Sequence, residues 1–219
     1  MDSEQRPDGP PEAVTSRTAV AAPARILVTY ATRHGSTAEV AEWIAQELRD
    51  AGAAVDVAPV VAGPRVGDYQ AVVLGGPMIM GWHKGARRFL RAHAGTLATV
   101  PTALFITAAS LTETGEDAID GIPVVKDPWL VKELRTPGKP TRKERYARPD
   151  HYLKAAREAA PDVRPVSVAF FAGSLDLTSM NLLEKLFIML VIGATPGDAR
   201  NRKAVRQWAR DISPKLHGA

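Results

Sequence analysis

The sequence contains no cysteine. A disulfide framework, a thiolate metal site and a catalytic thiol are therefore all excluded. It also lacks an apolar run of the roughly 20 residues that spanning a bilayer requires. Residues 1–24 mix Pro, Ala, Ser and charges of both signs, which predicts a disordered tail and not a secretory signal. We therefore expect a cytoplasmic protein.

Two common phosphate-binding motifs are missing as well. No Gly-x-Gly-x-x-Gly follows the first apolar run, and no Gly-x-x-x-x-Gly-Lys-Ser/Thr occurs in the chain. These absences leave a dinucleotide fold and a P-loop without support. The 28 Lys and Arg outnumber the 24 Asp and Glu, which leaves a net charge of +4. This excess favours anionic partners without indicating nucleic acid, and we expect neither a nucleic-acid partner nor a metal.

From Arg25 onward, short apolar runs alternate with amphipathic stretches. Four of the five runs are nearly continuous in apolar residues, as strands covered on both faces are. The alternation predicts a single α/β domain over residues 25–214, a flavodoxin-like doubly wound parallel sheet with strand order 2-1-3-4-5 and helices on both faces. The predicted strands are 24–31, 54–60, 70–76, 102–110 and 166–173, and the predicted helices are 36–51, 84–94, 150–160 and 199–212.

Two stretches interrupt this alternation and are predicted to be insertions. Residues 111–149 are rich in Pro and Gly and become basic toward their end. A loop of that length inside a compact domain is usually functional or disordered. Residues 176–198 contain the apolar segment Leu182 to Ile192, which is too short to span a bilayer. It can be a buried helix, the interface of a homo-oligomer, or a peripheral membrane contact.

The first predicted strand runs into a loop of small and hydroxyl-bearing residues just before the first helix. Thr32, Ser36 and Thr37 supply hydroxyl groups, and Gly35 lets the backbone approach a ligand. The first backbone N–H groups of a helix have no partner and carry the positive end of its dipole. The pattern therefore predicts an anion site. Ser36 and Glu39 also have capping-box spacing, so these side chains can instead serve only to begin the helix.

The spacing of Tyr30, Thr32, Gly35 and Thr37 resembles the phosphate loop of the flavodoxin family, which holds the phosphate of FMN through backbone N–H groups and hydroxyls. This resemblance implies an FMN cofactor whose phosphate is surrounded by Thr32, Arg33, His34, Gly35, Ser36 and Thr37. It further implies that two loops hold the isoalloxazine ring, formed by Pro77, Met78, Ile79, Met80, Gly81 and Trp82 and by Thr107, Ala108, Ala109, Ser110 and Leu111.

Two alternatives remain open around the ring. Met78, Ile79 and Met80 can belong to the core, with Trp82 covering it. His83 can supply a proton near the flavin, because histidine titrates close to neutrality, or it can be an exposed residue at a helix start.

The second half of the chain has a narrower resemblance. The segments AGSLD (172–176), LLEKLFIMLVIG (182–193) and GDARNRKAVRQWARDI (197–212) resemble the family of bacterial menaquinone-dependent protoporphyrinogen dehydrogenases. The resemblance implies an FMN-dependent oxidoreductase of haem biosynthesis that oxidises protoporphyrinogen IX or a related substrate and passes the electrons to a quinone. The apolar segment would then lie at the membrane, and the basic loop would attract porphyrin carboxylates or anionic lipid.

Two other functions remain as alternatives. One is a flavodoxin-type electron carrier that docks on protein partners, and the other is an interaction module without a cofactor. No catalytic residue is predicted, because a flavin carries the redox chemistry itself.

Overall fold

The computed structural model describes residues 23–33, 35–79, 81–175 and 197–217. Residues 1–22 of the predicted tail, His34, Met80 and the apolar segment Leu182 to Ile192 lie outside the described residues. The described helices are α1 (Ser36–Asp50), α2 (Lys84–Ala92), α3 (Ala94–Leu97), α4 (Arg142–Tyr146), α5 (Pro149–Ala159) and α6 (Arg202–Leu216). The described strands are β1 (Arg25–Tyr30), β2 (Ala54–Pro59), β3 (Ala71–Pro77), β4 (Thr102–Ala108), β5 (Leu111–Thr112), β6 (Ala118–Ile119), β7 (Ile122–Lys126), β8 (Val131–Lys132), β9 (Ser167–Ala172), β10 (Ser174–Leu175) and β11 (Gly197–Asp198).

The five predicted strands form the centre of the sheet as β2-β1-β3-β4-β9, all parallel. The predicted α/β fold and its 2-1-3-4-5 strand order are therefore confirmed. Every residue of β3, β4 and β9 is buried, which explains their continuous apolar character, because helices cover both faces of the sheet.

The two faces of the sheet follow from the two-residue period of the strands. Ile26 of β1 packs with α1 and α6 on one face, whereas Leu27 packs with α2 and α5 on the other. Trp208 of α6 meets Phe171 of β9 edge to face, with ring centroids 5.6 Å apart. Each helix pair thus buries one side of the strands and leaves the strand ends for the loops.

Residues 111–149, which the sequence analysis treated as one long loop, contain four short strands and a helix. Within this stretch β7 pairs in parallel with β9, and β6 pairs antiparallel with β7, so the sheet has seven strands. The turn between β6 and β7 consists of Asp120 with φ 51° and Gly121 with φ 78°, the left-handed pair of a two-residue hairpin. β5 and β8 form a separate parallel pair, and α4 follows them.

A buried carboxylate joins this insertion to the rest of the fold. Asp127, directly after β7, is fully buried. Its carboxylate accepts hydrogen bonds from the backbone N–H of Trp129 at 3.0 Å, the backbone N–H of Ala172 at 3.1 Å and the side-chain amide of Asn201 at 2.9 Å. A buried carboxylate needs such donors, and these three connect the ends of β7 and β9 with the start of α6.

Gly75 shows how closely β3 and β4 pack. A Cβ atom added to Gly75 would lie 2.0 Å from Cζ of Phe105, and Phe105 is itself fully buried. The aromatic ring therefore occupies the space of a side chain on the neighbouring strand.

We expect Gly75→Ala to lower the free energy of unfolding by about 3 kcal/mol, because the buried Phe105 ring cannot move away from the added methyl group. Urea denaturation of the two proteins measures the difference. Gly95→Ala is the matched control, since a Cβ at this exposed glycine of α3 meets no atom within 4 Å, and it should leave stability unchanged or raise it by up to about 1 kcal/mol. Equal denaturation midpoints for Gly75→Ala and the native protein would contradict the packing argument.

Candidate functional site

The loops after β1, β3 and β4 leave the sheet at one edge, where the carboxyl ends of these adjacent parallel strands lie. From β1 the chain crosses to α1 on one face, and from β3 it crosses to α2 on the other. The two connections separate at this point and open a crevice. Doubly wound sheets bind their ligands at such a position.

The first loop, between β1 and α1, contains a hydrogen bond from its backbone to one of its own hydroxyl groups. The backbone N–H of Gly35 donates to Oγ1 of Thr32 at 3.0 Å, and Gly35 has φ 86° as the N-cap of α1. The predicted capping box is therefore wrong, because Ser36 is already the first helical residue and the cap has no side-chain hydrogen bond. Instead, the carboxylate of Glu39 lies 2.9 Å from Nη1 of Arg200.

The start of α1 can accept an anion. The first hydrogen bond of the helix start runs from the N–H of Ala38 to the carbonyl of Gly35 at 2.9 Å, so the N–H groups of Ser36 and Thr37 precede it. A Cβ atom at Gly35 would meet no atom within 4 Å. Open space in front of a helix N-terminus fits a phosphate group.

Thr37 has a different environment from the other hydroxyl residues of the loop. It is fully buried, and its Oγ1 lies 3.2 Å from Oγ1 of Thr107 on β4. Thr32 and Ser36 are half-buried, and Arg33 is exposed. The Thr37 side chain therefore connects the predicted phosphate loop to the strand that leads into one of the predicted ring loops.

The second loop is a tight reversal held against β4. The N–H of Met78 donates to the carbonyl of Thr107 at 2.8 Å, and the N–H of His83 donates to the carbonyl of Pro77 at 3.1 Å. Met78 and Trp82 form an isolated bridge across the reversal. These bonds place the backbone of residues 77–79 and 81–83 beside the end of β4.

Trp82 and Met78 are buried in the core, in agreement with the alternative interpretation that these two side chains belong to the core and its cover. Trp82 is 2% exposed, and its indole N–H donates to the carbonyl of Gly76 at 3.3 Å. Met78 is 7% exposed, while Ile79 and Gly81 are half-buried. Among the described residues of this loop, contacts with a ring would therefore come mainly from backbone atoms and from Ile79.

The third loop is buried at both ends and open between them. Thr107, Ala108 and Leu111 are buried, whereas Ala109 is exposed and Ser110 is half-buried. Ala109 and Ser110 are thus the residues of this loop that a ligand can reach.

His83 caps α2 and is held in its neutral form. Its Nδ1 accepts a hydrogen bond from the backbone N–H of Gly85 at 3.1 Å. Burial, and to a lesser extent the positive charge of Arg33, lower the pKa of His83 below its usual value. Neither alternative for His83 describes it fully, because it is a half-buried helix cap.

The sequence analysis overlooked two tyrosines near the third loop. The Tyr152 hydroxyl of α5 donates to the carbonyl of Ser110 at 3.0 Å, and the Tyr146 ring of α4 packs edge to face on Tyr152, with ring centroids 6.0 Å apart. Burial raises the pKa of both phenols. The only signal in the sequence was the aromatic spacing of RYARPDHY (145–152) within a basic stretch.

A family model described as a flavodoxin domain matches residues 27–201. The chain belongs to the flavodoxin-domain family. It is 28% identical over 184 residues to protoporphyrinogen IX dehydrogenase [quinone] of Escherichia coli strain K12, covering 83% of this chain and 86% of that protein. Similar solved structures include an archaeal flavodoxin (12% identity, 88% of this chain and 98% of that one, TM-score 0.45) and oxidised flavodoxin 2 of Bacillus cereus (13% identity, 88% and 99%, TM-score 0.48). Among the described residues, no helix combines the length and apolar character needed to cross a membrane.

In this flavodoxin domain, α4 is fixed beside β5 by its own cap. Thr141 and Glu144 form a capping box, and the Thr112 hydroxyl donates to the carbonyl of Glu144 at 2.8 Å. The N–H groups of Arg135 and Thr141 donate to the Glu144 carboxylate and lower its pKa to about 2. The ionised carboxylate therefore orders the segment that ends in Tyr146.

We expect this cap to weaken in acid. The pKa of Glu144 is lower in the folded protein than its ordinary value of 4.5, so its stabilisation is fully present above about pH 4.5 and is lost as the pH falls toward about 2. Glu144→Gln should be less stable than the native protein at pH 7. The difference between the urea denaturation midpoints of the two proteins should decrease as the pH falls from about 4.5 toward about 2. A gap that stays constant from pH 7 to pH 2.5 would contradict the assignment.

Proposed function

We propose that the protein binds FMN at the carboxyl edge of its sheet and works as an FMN-dependent oxidoreductase. The observation that carries this proposal is the convergence of three features at the switch point: the open start of α1, the reversal at residues 77–83 and the exposed turn at Ala109 and Ser110. FMN, when bound, supplies the redox chemistry. The protein supplies binding, orientation and the exclusion of water.

The phosphate of FMN would be held by the start of α1. The N–H groups of Ser36 and Thr37 and the helix dipole provide positive electrostatic potential. The Ser36 hydroxyl adds a donor, and the exposed Arg33 adds positive charge nearby. Thr32 contributes indirectly, because its oxygen holds the N–H of Gly35 and thereby shapes the loop.

The flavin ring would lie between the second and third loops. Backbone atoms of residues 77–81 would face one part of its edge, with Ile79 available for apolar contact. Ala109 and Ser110 would approach it from β4. The donors and acceptors here are chiefly peptide groups, which suit the polar edge of an isoalloxazine ring.

We further propose that the electrons come from protoporphyrinogen IX or a related substrate and pass to a quinone. The similarity to the Escherichia coli enzyme supports this choice, since it extends over most of both chains. The charge of the insertion supports it as well, because the exposed Arg142 and Arg145 belong to α4, which is hydrogen-bonded to Thr112 just after the third loop. Such arginines suit the carboxylates of a porphyrinogen.

A peripheral membrane contact through Leu182 to Ile192 belongs to the same proposal. This segment lies outside the described residues, but the strands on either side of it are described. β10 and β11 pair antiparallel, with Ser174 opposite Asp198, directly after the carboxyl end of β9. A membrane contact made from this position would bring the same sheet edge toward a lipid-soluble quinone.

The phosphate assignment predicts that Ser36→Asp abolishes FMN binding without unfolding the protein. A carboxylate at the first helical position is favourable for the helix dipole, but it repels a phosphate a few Å away by roughly 4 kcal/mol. Fluorescence titration with FMN should show a Kd at least about 100-fold higher than for the native protein. Ser36→Asn, similar in size but uncharged, is the control and should lose less than about tenfold. Equal affinities for the two variants would overturn the assignment.

Turnover in lipid vesicles tests the reaction. We expect the FMN-loaded protein to oxidise protoporphyrinogen IX anaerobically with menaquinone in anionic vesicles as the sole acceptor, and to float with those vesicles at low salt. Bound FMN without quinone reduction would favour the electron carrier. A protein that does not bind FMN would favour the interaction module without a cofactor. A protein that oxidises the substrate but does not float with the vesicles would rule out only the membrane contact.

A further inference from the structure

The start of α1 carries an acidic side chain close to the position proposed for the phosphate. Glu39 lies three residues after Ser36, and Trp43 lies four residues after Glu39, so the three side chains form one stripe along the helix. Side chains of a helix also tilt toward its N-terminus. The carboxylate of Glu39, whose side chain is 59% exposed, is therefore directed toward the end of the helix that would hold the anion.

This position creates an electrostatic conflict. A negative charge near the start of a helix is favourable for the helix dipole, but it repels a phosphate held by the N–H groups of Ser36 and Thr37. The rise from Ser36 to Glu39 is about 4.5 Å along the helix axis, which is less than the screening length of about 8 Å at physiological ionic strength. An unpaired Glu39 would consequently weaken an anion site at this helix start.

The guanidinium of Arg200 lies against this acidic side chain. Its Nη1 is 2.9 Å from Oε1 of Glu39, and its central carbon is 5.1 Å from the centroid of the Trp43 ring. The Arg200 side chain is only 10% exposed. One side of the ion pair is therefore shielded from water, and salt screens such a pair less than one that is fully exposed.

Asp198 of β11 fixes the direction of the Arg200 side chain. Its carboxylate accepts hydrogen bonds from Nε of Arg200 at 2.7 Å and from Nη2 at 2.6 Å, the bidentate geometry that suits a planar guanidinium. Nη1 is left to face Glu39. A second arginine, Arg202, lies 5.6 Å from the centroid of the same Trp43 ring. Two cations and two carboxylates therefore meet beside α1 and balance one another in charge.

We propose that Arg200 is a positioning residue of the phosphate site, which pairs with Glu39 and so removes the repulsion between this carboxylate and the phosphate of FMN. This inference rests on the proposed function. The start of α1 then keeps an acidic residue that suits its dipole, while an arginine from the segment between β11 and α6 balances the charge that would oppose the cofactor. Arg200 acts through Glu39 and not on the phosphate itself.

A comparable ion pair at the other end of α1 provides a control. The buried Glu47 contacts Arg206 and Arg210 of α6. Glu47 lies 11 residues after Ser36, about 16 Å along the helix axis, which is about two screening lengths. Removing the charge of Arg206 therefore deletes one cation and one contact between α1 and the C-terminal part of the chain, but it leaves the charge near the phosphate position unchanged.

Arg200→Gln removes the guanidinium charge beside Glu39. We expect the Kd for FMN, measured by flavin fluorescence quenching at low salt, to rise about tenfold, because an unpaired carboxylate and a phosphate repel each other. Arg206→Gln is the control and should leave this Kd unchanged, since Glu47 keeps its contact with Arg210 at 2.6 Å. Thermal unfolding of each variant without FMN measures any loss of stability separately.

Removing Glu39 as well separates an electrostatic role from a structural one. In the double variant Glu39→Gln/Arg200→Gln the repelling carboxylate is absent, so the Kd for FMN should return to within about threefold of the native value. Glu39→Gln alone should bind FMN at least as tightly as the native protein. Riboflavin, which has the same ring and no phosphate, should bind equally to the native protein and to Arg200→Gln.

The outcomes distinguish this inference from the proposed function. A native protein that binds no FMN overturns both. If the native protein binds FMN and Arg200→Gln matches it, Glu39 needs no counter-charge, so the inference is wrong and the proposed function stands. The inference is also wrong if the double variant binds FMN as weakly as Arg200→Gln does, because Arg200 would then act by holding β11 against α1 and not through its charge.

Discussion

The site depends on the parallel pairing of β3 with β4. This pairing continues to Pro77 opposite Thr107 and is extended by the hydrogen bond from the N–H of Met78 to the carbonyl of Thr107. The register cannot slip easily, because a shift by one residue would turn every side chain of a buried strand to the opposite face of the sheet. In the observed register, the Phe105 ring fills the space beside Gly75 on the paired strand. The second and third loops therefore leave the sheet side by side, and Thr37 joins them to the start of α1 through its contact with Thr107.

The insertion is continuous with this framework. β7 extends the sheet beyond β9, and the buried carboxylate of Asp127 binds both the end of β9 and the side chain of Asn201. Because Asn201 also caps α6, the insertion, the last central strand and the final helix share one hydrogen-bonded junction. α4 is consequently placed by the core of the protein and brings Tyr146 to a defined position.

The central strands could be predicted because four of the five are nearly continuous apolar runs, and the loop before α1 because its residues are neighbours in sequence. The strands of the insertion have only two to five residues, too few for a clear period. Asp120 and Gly121, between Ile119 and Ile122, were nevertheless a readable hairpin signal. The capping box was predicted wrongly because the partner of Glu39 is Arg200, far along the chain and invisible to local spacing. Tyr152 was missed for the same reason, since its hydrogen bond to the carbonyl of Ser110 depends on the tertiary fold.

The positive potential at the start of α1 does not depend on a charge on His83. His83 accepts the N–H of Gly85 through Nδ1, so that nitrogen carries no proton. Protonation would break this cap and would place a second cation near Arg33, and both burial and Arg33 accordingly lower the pKa of His83. Among the described residues, the positive potential comes instead from the helix dipole of α1 and from the guanidinium of the exposed Arg33. A phosphate group at this position would therefore be attracted without a positive charge on His83.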